Sequence, residues 1–220
     1  MNYTKAIVFD AYGTLFDVNS AAEKCKDKIG DKWENFANYW RTTQLEYTWL
    51  RSLMKRHKDF WKITEDSLDK SMIAFNINKS MKGELLNLYK ELSPFPEVKN
   101  VLEELKKKSL KIAILSNGTP DLLNHLVRSS NFENLFDNIF SIEEVKIYKP
   151  DPKVYDIPVN KYKIKKNEIS FFSANTWDVS GAGNYGYNSI WVNRGKNVFD
   201  KLDYQAKNEV KNLKEFLDLK

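Results

Sequence analysis

KAIVFDAYGT, residues 5–14, is the stretch that decides the fold. Its first six residues are mainly β-branched, aromatic and other apolar side chains, which is typical of a buried strand. A glycine-containing turn follows at once, so we predict that the strand ends at Asp10. A short apolar strand of this kind is expected in a parallel sheet that helices cover on both faces.

From residue 96 onward, helix-like and strand-like segments alternate. We predict strands over residues 110–117, 138–142, 168–174 and 188–193, and helices over residues 96–108, 120–130, 151–163, 176–186 and 204–217. This alternation predicts an α/β fold with a Rossmann-like parallel sheet, and the first strand belongs to the same sheet.

Between the first two strands the pattern is helical. Trp33, Phe36 and Trp40 recur at helical spacing and begin a predicted helix over residues 33–54. Further helices are expected near residues 65–75 and 82–92. We therefore predict two domains, an α/β core of residues 1–15 and 96–220 and an inserted α-helical cap of residues 16–95.

Composition excludes several classes of protein. The 220 residues are 42% hydrophobic and 14% aromatic, which supports a real core and excludes a disordered chain. No apolar window approaches the length of a membrane span, and the N-terminus shows no secretion signal. The single cysteine, Cys25, allows no internal disulfide. These features predict a cytoplasmic protein with no membrane partner.

The net charge of +5 does not by itself indicate nucleic acid. Lysines are interleaved with acidic residues, as in EELKKKSLK (103–111), which favours solvated helix faces over a nucleic-acid surface. We therefore expect no nucleic-acid partner, although a mildly positive field would attract a small anionic substrate.

Polar side chains follow the predicted strands at their carboxyl ends. Asp10 ends the first strand, Ser116 and Asn117 end the second, and Lys149 follows the third. The fourth is followed by a further polar group: Ser173, Asn175 and Asp178. Ligands of open parallel sheets bind beyond these ends, so the four groups are expected to converge under the cap.

Four motifs resemble those of the haloacid dehalogenase superfamily, in order and with matching spacing: FDAYGTLFD (9–17), SNG (116–118), YKPDPKVY (148–155) and SANTWDVSGAGNYG (173–186). The cap segment WRTTQLEYTWLRSLMKRHKDFW (40–61) is similar to the L-2-haloacid dehalogenase (type II) branch and is the more specific signal. The resemblance spans nearly the whole chain.

The resemblance implies hydrolytic dehalogenation of short L-2-haloalkanoic acids to 2-hydroxy acids of inverted configuration. Asp10 would be the nucleophile, forming an ester intermediate. Arg41 and Asn117 would cradle the departing halide. Ser116, Thr14 and the backbone amides of Ala11 and Tyr12 would hold the substrate carboxylate. A homodimer is also implied.

The same resemblance assigns the remaining residues of the site. Lys149 would orient Asp10 and keep it ionised, and Tyr155 belongs to the same catalytic set. Ser173, Asn175 and Asp178 would position the water that hydrolyses the ester. An apolar wall around the alkyl group of the substrate would consist of Tyr12, Leu45, Phe60 and Trp177.

Each residue also has a purely structural interpretation. Asp10 could stabilise a turn, Arg41 could be solvated, and Asp178 could cap a helix. Ordinary core packing would explain the aromatic wall. His57 and His125 lack a metal-ligand partner and are interpreted as surface residues without a role.

Two departures from the branch are Thr42, where a larger amide is expected, and Pro158, which predicts a later or kinked helix.

Position 12 separates the competing functions. Phosphatases of the superfamily carry a second aspartate there and an acid at the start of the fourth motif, whereas this chain has Tyr12 and Ser173 or Ala174. Because Mg²⁺ prefers carboxylate oxygens, we expect no metal and no cofactor. A Mg²⁺-dependent phosphatase and an inactive binding protein on the same fold remain the alternatives. The sequence leaves the preferred halogen and chain length open.

Overall fold

A six-stranded, all-parallel sheet forms the centre of the protein, for which a computed structural model describes residues 4–218. In chain order the strands are β1 (Ala6–Phe9), β2 (Lys111–Ser116), β3 (Asn138–Ser141), β4 (Ile169–Ser173), β5 (Asn188–Val192) and β6 (Asn208–Val210). Their spatial order is β3-β2-β1-β4-β5-β6, so β1 lies centrally between β2 and β4. The predicted α/β class is confirmed.

Helices surround this sheet. In chain order they are α1 (Ser20–Lys24), α2 (Lys26–Ile29), α3 (Trp33–Leu53), α4 (Phe60–Ala74), α5 (Lys82–Lys90), α6 (Val98–Lys106), α7 (Pro120–Ser129), α8 (Pro152–Tyr162), α9 (Thr176–Tyr185) and α10 (Leu213–Asp218). Helices α1 to α5 all lie between β1 and β2 and form the helical cap. Within residues 4–218 no helix is both long and apolar enough to cross a membrane.

The central position of β1 explains its sequence. All four of its residues are buried, because β2 and β4 flank it and helices cover both faces. The ladder continues one residue further, since the Asp10 N–H donates to the Phe172 carbonyl at 2.9 Å. Asp10 therefore leaves the sheet directly beside the end of β4.

Two chain segments connect the cap to the core, and they lie side by side. The Asp17 N–H donates to the Ser93 carbonyl at 2.8 Å, and the Phe95 N–H donates to the Leu15 carbonyl at 3.0 Å. These contacts coincide with the predicted boundaries after residues 15 and 95, although the division into domains itself stays a prediction.

The cap also rests on the core at a second place. The Tyr148 hydroxyl donates to the Lys58 carbonyl at 2.6 Å, and the Tyr148 N–H donates to Ser52 Oγ at 3.2 Å. His57 Nε2 lies 2.9 Å from a Glu143 carboxylate oxygen, and its side chain is only 21% exposed. The interpretation of His57 as a surface residue is therefore wrong, because it bridges cap and core.

The last predicted helix, over residues 204–217, is also wrong. Residues 208–210 form β6 instead, in which Val210 pairs with Val192, and α10 begins only at Leu213. The Asn212 side chain accepts hydrogen bonds from the Lys214 and Glu215 N–H groups, so it fixes the start of this short helix. Val210, Leu213 and Phe216 are all buried, so an apolar spacing compatible with one helix arises from two elements.

Two smaller deviations concern helix ends. The helix predicted near residues 65–75 begins at Phe60, because the Asp59 side chain accepts from the Lys62 N–H at 2.8 Å and caps it. Helix α8 starts at Pro152 and includes Pro158, so it does not begin later as Pro158 suggested.

Gly181 lies where α9 packs closely against α8 and the residue pair that precedes it. A Cβ at this position would lie 2.5 Å from the Pro150 Cβ and 2.7 Å from the Tyr155 hydroxyl. At Gly83, in α5, an added Cβ would meet nothing within 4 Å.

We expect Gly181→Ala to lower the free energy of unfolding by about 1–3 kcal/mol through overpacking. The matched change Gly83→Ala should leave stability unchanged or raise it by up to about 1 kcal/mol, since alanine is the better helix former. Urea unfolding of both variants measures the difference. Equal stabilities would show that α9 has room to shift.

Candidate active site

The Asp10 carboxylate is buried at the tip of β1, with 5% of the residue exposed. One oxygen, Oδ1, accepts from Lys149 Nζ at 3.0 Å. The other, Oδ2, accepts from Asn175 Nδ2 at 2.8 Å, Thr14 Oγ1 at 3.2 Å and Ser173 Oγ at 3.3 Å. The two oxygens thus have different environments, one facing a cation and the other three neutral donors.

Lys149 lies between two buried carboxylates. Its Nζ is 3.0 Å from Asp10 and 2.9 Å from Asp178, and all three side chains are at most 7% exposed. Burial lowers the pKa of Lys149, but the two carboxylates more than offset this and raise its pKa above the ordinary value. The ammonium group therefore stays charged.

Asp178 completes this group from the first turn of α9. Its second oxygen accepts from the Tyr155 hydroxyl at 2.7 Å. Burial, together with the negative charge of Asp10, raises the pKa of Asp178 to about 6, although Lys149 acts in the opposite direction. Asp178 can therefore change protonation state near neutral pH, as a proton acceptor must.

The loop after Asp10 is held by contacts from two parts of the core. Thr14 Oγ1 accepts from the Ala174 N–H at 2.8 Å, and the Thr14 carbonyl accepts from Arg194 Nη2 at 2.8 Å. Arg194 is itself paired with Glu97 at 2.7 Å. None of the hydrogen bonds within residues 4–218 uses the N–H of Ala11 or Tyr12, so both are free to bind an anion.

The end of β2 contributes Ser116 and Asn117, which are buried beside Lys149. The Asn117 side-chain carbonyl accepts from the Lys149 N–H at 3.2 Å, and Ser116 Oγ accepts from the Gly118 N–H at 3.2 Å. The Asn117 amide group therefore turns its NH₂ away from this contact. The end of β2 therefore lies next to the group that surrounds the Asp10 carboxylate, as expected from the convergence of strand ends. We call this group the Asp10 cluster; it consists of Asp10, Thr14, Lys149, Ser173, Asn175 and Asp178.

Arg41 comes from the cap and lies half-buried on α3. Its Nη1 donates to Gln44 Oε1 at 2.8 Å. The Gln44 amide nitrogen in turn donates to Thr64 Oγ1 at 2.7 Å and to the Tyr89 hydroxyl at 3.0 Å. Sequence reasoning missed Gln44, Thr64 and Tyr89. For Gln44 a signal existed, since an amide three residues after Arg41 shares its helix face.

Tyr12 and Phe60 form part of an aromatic wall beneath the cap. Their ring centroids are 5.2 Å apart, and Tyr89 stacks on Tyr12 at 5.9 Å. Burial raises the pKa of Tyr12 well above its ordinary value, so its hydroxyl is neutral. Leu45 lies half-buried one helical turn beyond Arg41, and Trp177 packs edge-on against Trp49 at 5.4 Å.

The groups around Asp10 do not fit a divalent cation. Lys149, Thr14, Ser173 and Asn175 all present donors to its carboxylate, whereas Mg²⁺ requires several oxygen acceptors. Tyr12 replaces a carboxylate two residues after Asp10, and its ring is packed between aromatic neighbours. The donor set therefore disfavours the Mg²⁺-dependent phosphatase.

Comparison with known proteins agrees with this geometry. Residues 4–186 match the sequence model of the haloacid dehalogenase-like hydrolases. The chain belongs to this family. A relative, (S)-2-haloacid dehalogenase 4A of Burkholderia cepacia, is 38% identical over 98% of this chain and 94% of its own length. (S)-2-haloacid dehalogenase 1 of Pseudomonas sp. (strain CBS-3) is 41% identical over 88% of this chain and 86% of its own length.

Solved structures of family members also resemble this chain over its full length. One crystal structure of a dehalogenase has a TM-score of 0.97 at 36% identity and covers 100% of this chain and 98% of its own. The L-2-haloacid dehalogenase from Xanthobacter autotrophicus with chloropropionic acid covalently bound has a TM-score of 0.90 at 32% identity, covering 98% of each chain. The expected family and its fold with a helical cap are thus confirmed.

The paired charges of the site predict a pH-dependent effect on stability. Replacing Lys149 by methionine leaves Asp10 and Asp178 buried without their shared cation, so we expect a loss of about 3–5 kcal/mol at neutral pH. Without Lys149, which opposes the effect of burial, the folded-state pKa of Asp178 would lie further above its unfolded value. The loss must therefore be larger at pH 8 than at pH 5.

Urea unfolding of Lys149→Met at both pH values measures this effect. Lys153→Met, which removes an exposed lysine of α8, is the matched control and should change little. A loss that does not vary with pH would indicate that packing, rather than charge, dominates at position 149.

Proposed function

We propose that the protein is a hydrolase of carbon–halide bonds that converts short (S)-2-haloalkanoic acids to 2-hydroxy acids of inverted configuration. The observation that carries this proposal is the Asp10 carboxylate, which faces Lys149 with one oxygen and three neutral donors with the other. The curated relatives named above are (S)-2-haloacid dehalogenases, which supports the same reaction.

The substrate carboxylate binds first. The free N–H groups of Ala11 and Tyr12, together with the Ser116 hydroxyl, provide neutral donors at the ends of β1 and β2. The expected contact with Thr14 is not used here, because its single hydroxyl proton is already donated to Asp10 Oδ2. Neutral donors suit a monoanion beside a buried carboxylate, because they bind it without adding a competing counterion. A carboxylate bound there would have its 2-carbon in front of Asp10.

In the first step, Oδ1 attacks the 2-carbon from the side opposite the halogen. This oxygen of Asp10 accepts one hydrogen bond, whereas Oδ2 accepts three. A carbon–oxygen bond forms while the carbon–halogen bond breaks, and the halide leaves with the electron pair, so the configuration inverts. Arg41 and the Asn117 NH₂ group receive the developing negative charge. The alkyl group packs against Tyr12, Leu45, Phe60 and Trp177.

In the second step, water attacks the ester carbonyl carbon of Asp10. The carbonyl oxygen is then Oδ2, which already accepts from Thr14, Ser173 and Asn175. These three donors form an oxyanion hole for the tetrahedral intermediate. Asp178 accepts the proton of the attacking water, and Tyr155 and Lys149 hold Asp178 in place. The tetrahedral intermediate then breaks its bond between Cγ and Oδ1, the departing oxygen takes up the proton from Asp178, and the 2-hydroxy acid leaves.

Isotope labelling tests the covalent step. In a single turnover with excess enzyme in ¹⁸O-water, we expect one ¹⁸O atom in Asp10 and none in the product, because water attacks the aspartyl carbon. Mass spectrometry of the peptide that contains Asp10 measures the label. The variant Asp10→Asn is the control. Label that appears directly in the product of wild-type enzyme contradicts an ester intermediate.

The raised pKa of Asp178 sets the acidic limit of the second step. Below about pH 6 Asp178 is protonated and cannot accept a proton from water, so ester hydrolysis should fall about tenfold per pH unit. The variant Asp178→Asn should form the ester but accumulate it, which appears as added mass on Asp10. The control Asp121→Asn changes an exposed aspartate of α7.

Either of two results would remove Asp178 from the second step. One is an Asp178→Asn variant that hydrolyses the ester at the wild-type rate. The other is an acidic limit that persists unchanged in this variant.

A further inference from the structure

We infer that Gln44 is a positioning residue, which fixes the guanidinium of Arg41 toward the departing halide while leaving its charge uncompensated. The inference rests on the proposed function. Within residues 4–218, the side-chain hydrogen bonds of Gln44 go to Arg41, Thr64 and Tyr89 and none goes to Asp10, so its effect is expected to pass through Arg41.

The contact between Gln44 and Arg41 is short, and its Gln44 end is buried. Arg41 Nη1 donates to Gln44 Oε1 at 2.8 Å, and Gln44 is only 1% exposed. The two residues are three positions apart on α3, so they lie on one face of the helix. When a buried amide accepts a hydrogen bond from a long, flexible side chain, that side chain loses much of its rotational freedom.

The direction of the Gln44 amide is determined by its other neighbours. Thr64 has one hydroxyl proton, which it donates to the Phe60 carbonyl at 2.7 Å. Thr64 Oγ1 must therefore accept from Gln44 Nε2, at 2.7 Å. With its NH₂ group held this way, Gln44 can only turn its carbonyl oxygen toward Arg41.

Tyr89 supports the same orientation from α5. Its hydroxyl accepts from Gln44 Nε2 at 3.0 Å and lies 3.4 Å from Gln44 Oε1. Three cap helices, α3, α4 and α5, thus contribute to one hydrogen-bond network. Arg41 is the charged residue at the end of this network. Such a supporting network is the usual requirement for a rigid functional group.

The neutrality of Gln44 matters as much as its position. Within residues 4–218, no carboxylate lies within 4.0 Å of the Arg41 guanidinium. A glutamate at position 44 would reach the same nitrogen but would neutralise it. An amide orients the cation and leaves it available for an anion, which is the property that a halide cradle requires.

The alternative is that Gln44 only joins the cap helices. The two explanations differ in the chemical step that they affect, because Arg41 acts on the leaving halide and not on the ester carbonyl. A positioning role predicts slower halide release with unchanged ester hydrolysis. A purely structural role predicts lower stability without this selectivity.

The test uses the full chain with Gln44→Met, Gln44→Glu and the control Thr43→Val, which alters a neighbouring buried residue of α3. Single-turnover halide release is measured with (S)-2-chloropropionate and (S)-2-bromopropionate. Ester hydrolysis, bromide binding by calorimetry and urea unfolding are measured alongside.

For Gln44→Met and Gln44→Glu, we expect halide release to slow by about 10- to 100-fold, the range typical for loss of a group that orients another ligand. The loss should be larger for chloride, the poorer leaving group. Bromide binding should weaken, ester hydrolysis should stay at the wild-type rate, and Thr43→Val should behave as wild type.

Halide release and bromide binding at wild-type levels in either Gln44 variant would overturn the inference, as would an equal slowing of both chemical steps. If Gln44→Met does not fold, the near-isosteric Gln44→Glu decides alone. Absence of halide release from the wild type would refute the proposed function instead. Bromide binding then still reports on Arg41, and equal affinities in wild type and Gln44→Glu would overturn the positioning role as well.

Discussion

The ion triplet formed by Asp10, Lys149 and Asp178 is the interaction on which the site depends. Two carboxylates buried this deeply would be too unfavourable to keep ionised without a cation between them. Lys149 contacts both, at 3.0 and 2.9 Å, and its backbone N–H is held by Asn117. One lysine therefore joins the ends of β1 and β2 to the start of α9.

The rest of the core can be understood as support for this triplet. Central placement of β1 brings Asp10 beside β4, where Ser173 and Asn175 reach its second oxygen. Tyr155 approaches from α8 and binds Asp178, and Gly181 lets α9 pack closely enough for this contact. Parallel strands end at one edge of a sheet, so residues far apart in sequence meet there without any special folding of the chain.

The sequence predicted the core of the site better than its surroundings. Asp10, Asn117, Lys149 and Asp178 lie together, as expected from the convergence of strand ends, whereas their roles stay predictions that rest on the family resemblance. The prediction of one closing helix was wrong, because the spacing of Val210 and Leu213 is compatible both with a single helix and with a strand followed by a short helix. A homodimer and a cytoplasmic location stay predictions, since neither depends on a contact within one chain.

Residues that only orient other residues of the site, through hydrogen bonds, were harder to predict. Arg194 lies 180 positions from Thr14, whose carbonyl it binds, and no local pattern indicates such a contact. Gln44 is closer to Arg41, yet an amide on a helix face has many possible partners. Only the packing of α3 against α4 and α5 shows that its amide is buried and that its oxygen faces the guanidinium.

Lys149 and Arg41 are held in opposite ways, and the difference agrees with the roles proposed for them. Lys149 is matched with two carboxylates, so its charge is already balanced and it serves to orient Asp10 and Asp178. Arg41 is matched with a neutral amide, so in the proposed mechanism its charge stays available for the departing halide ion. In the proposed mechanism, a balanced cation on the core and an unbalanced one on the cap separate the nucleophile from the leaving group, and halide departure draws charge toward the cap rather than back toward Asp10.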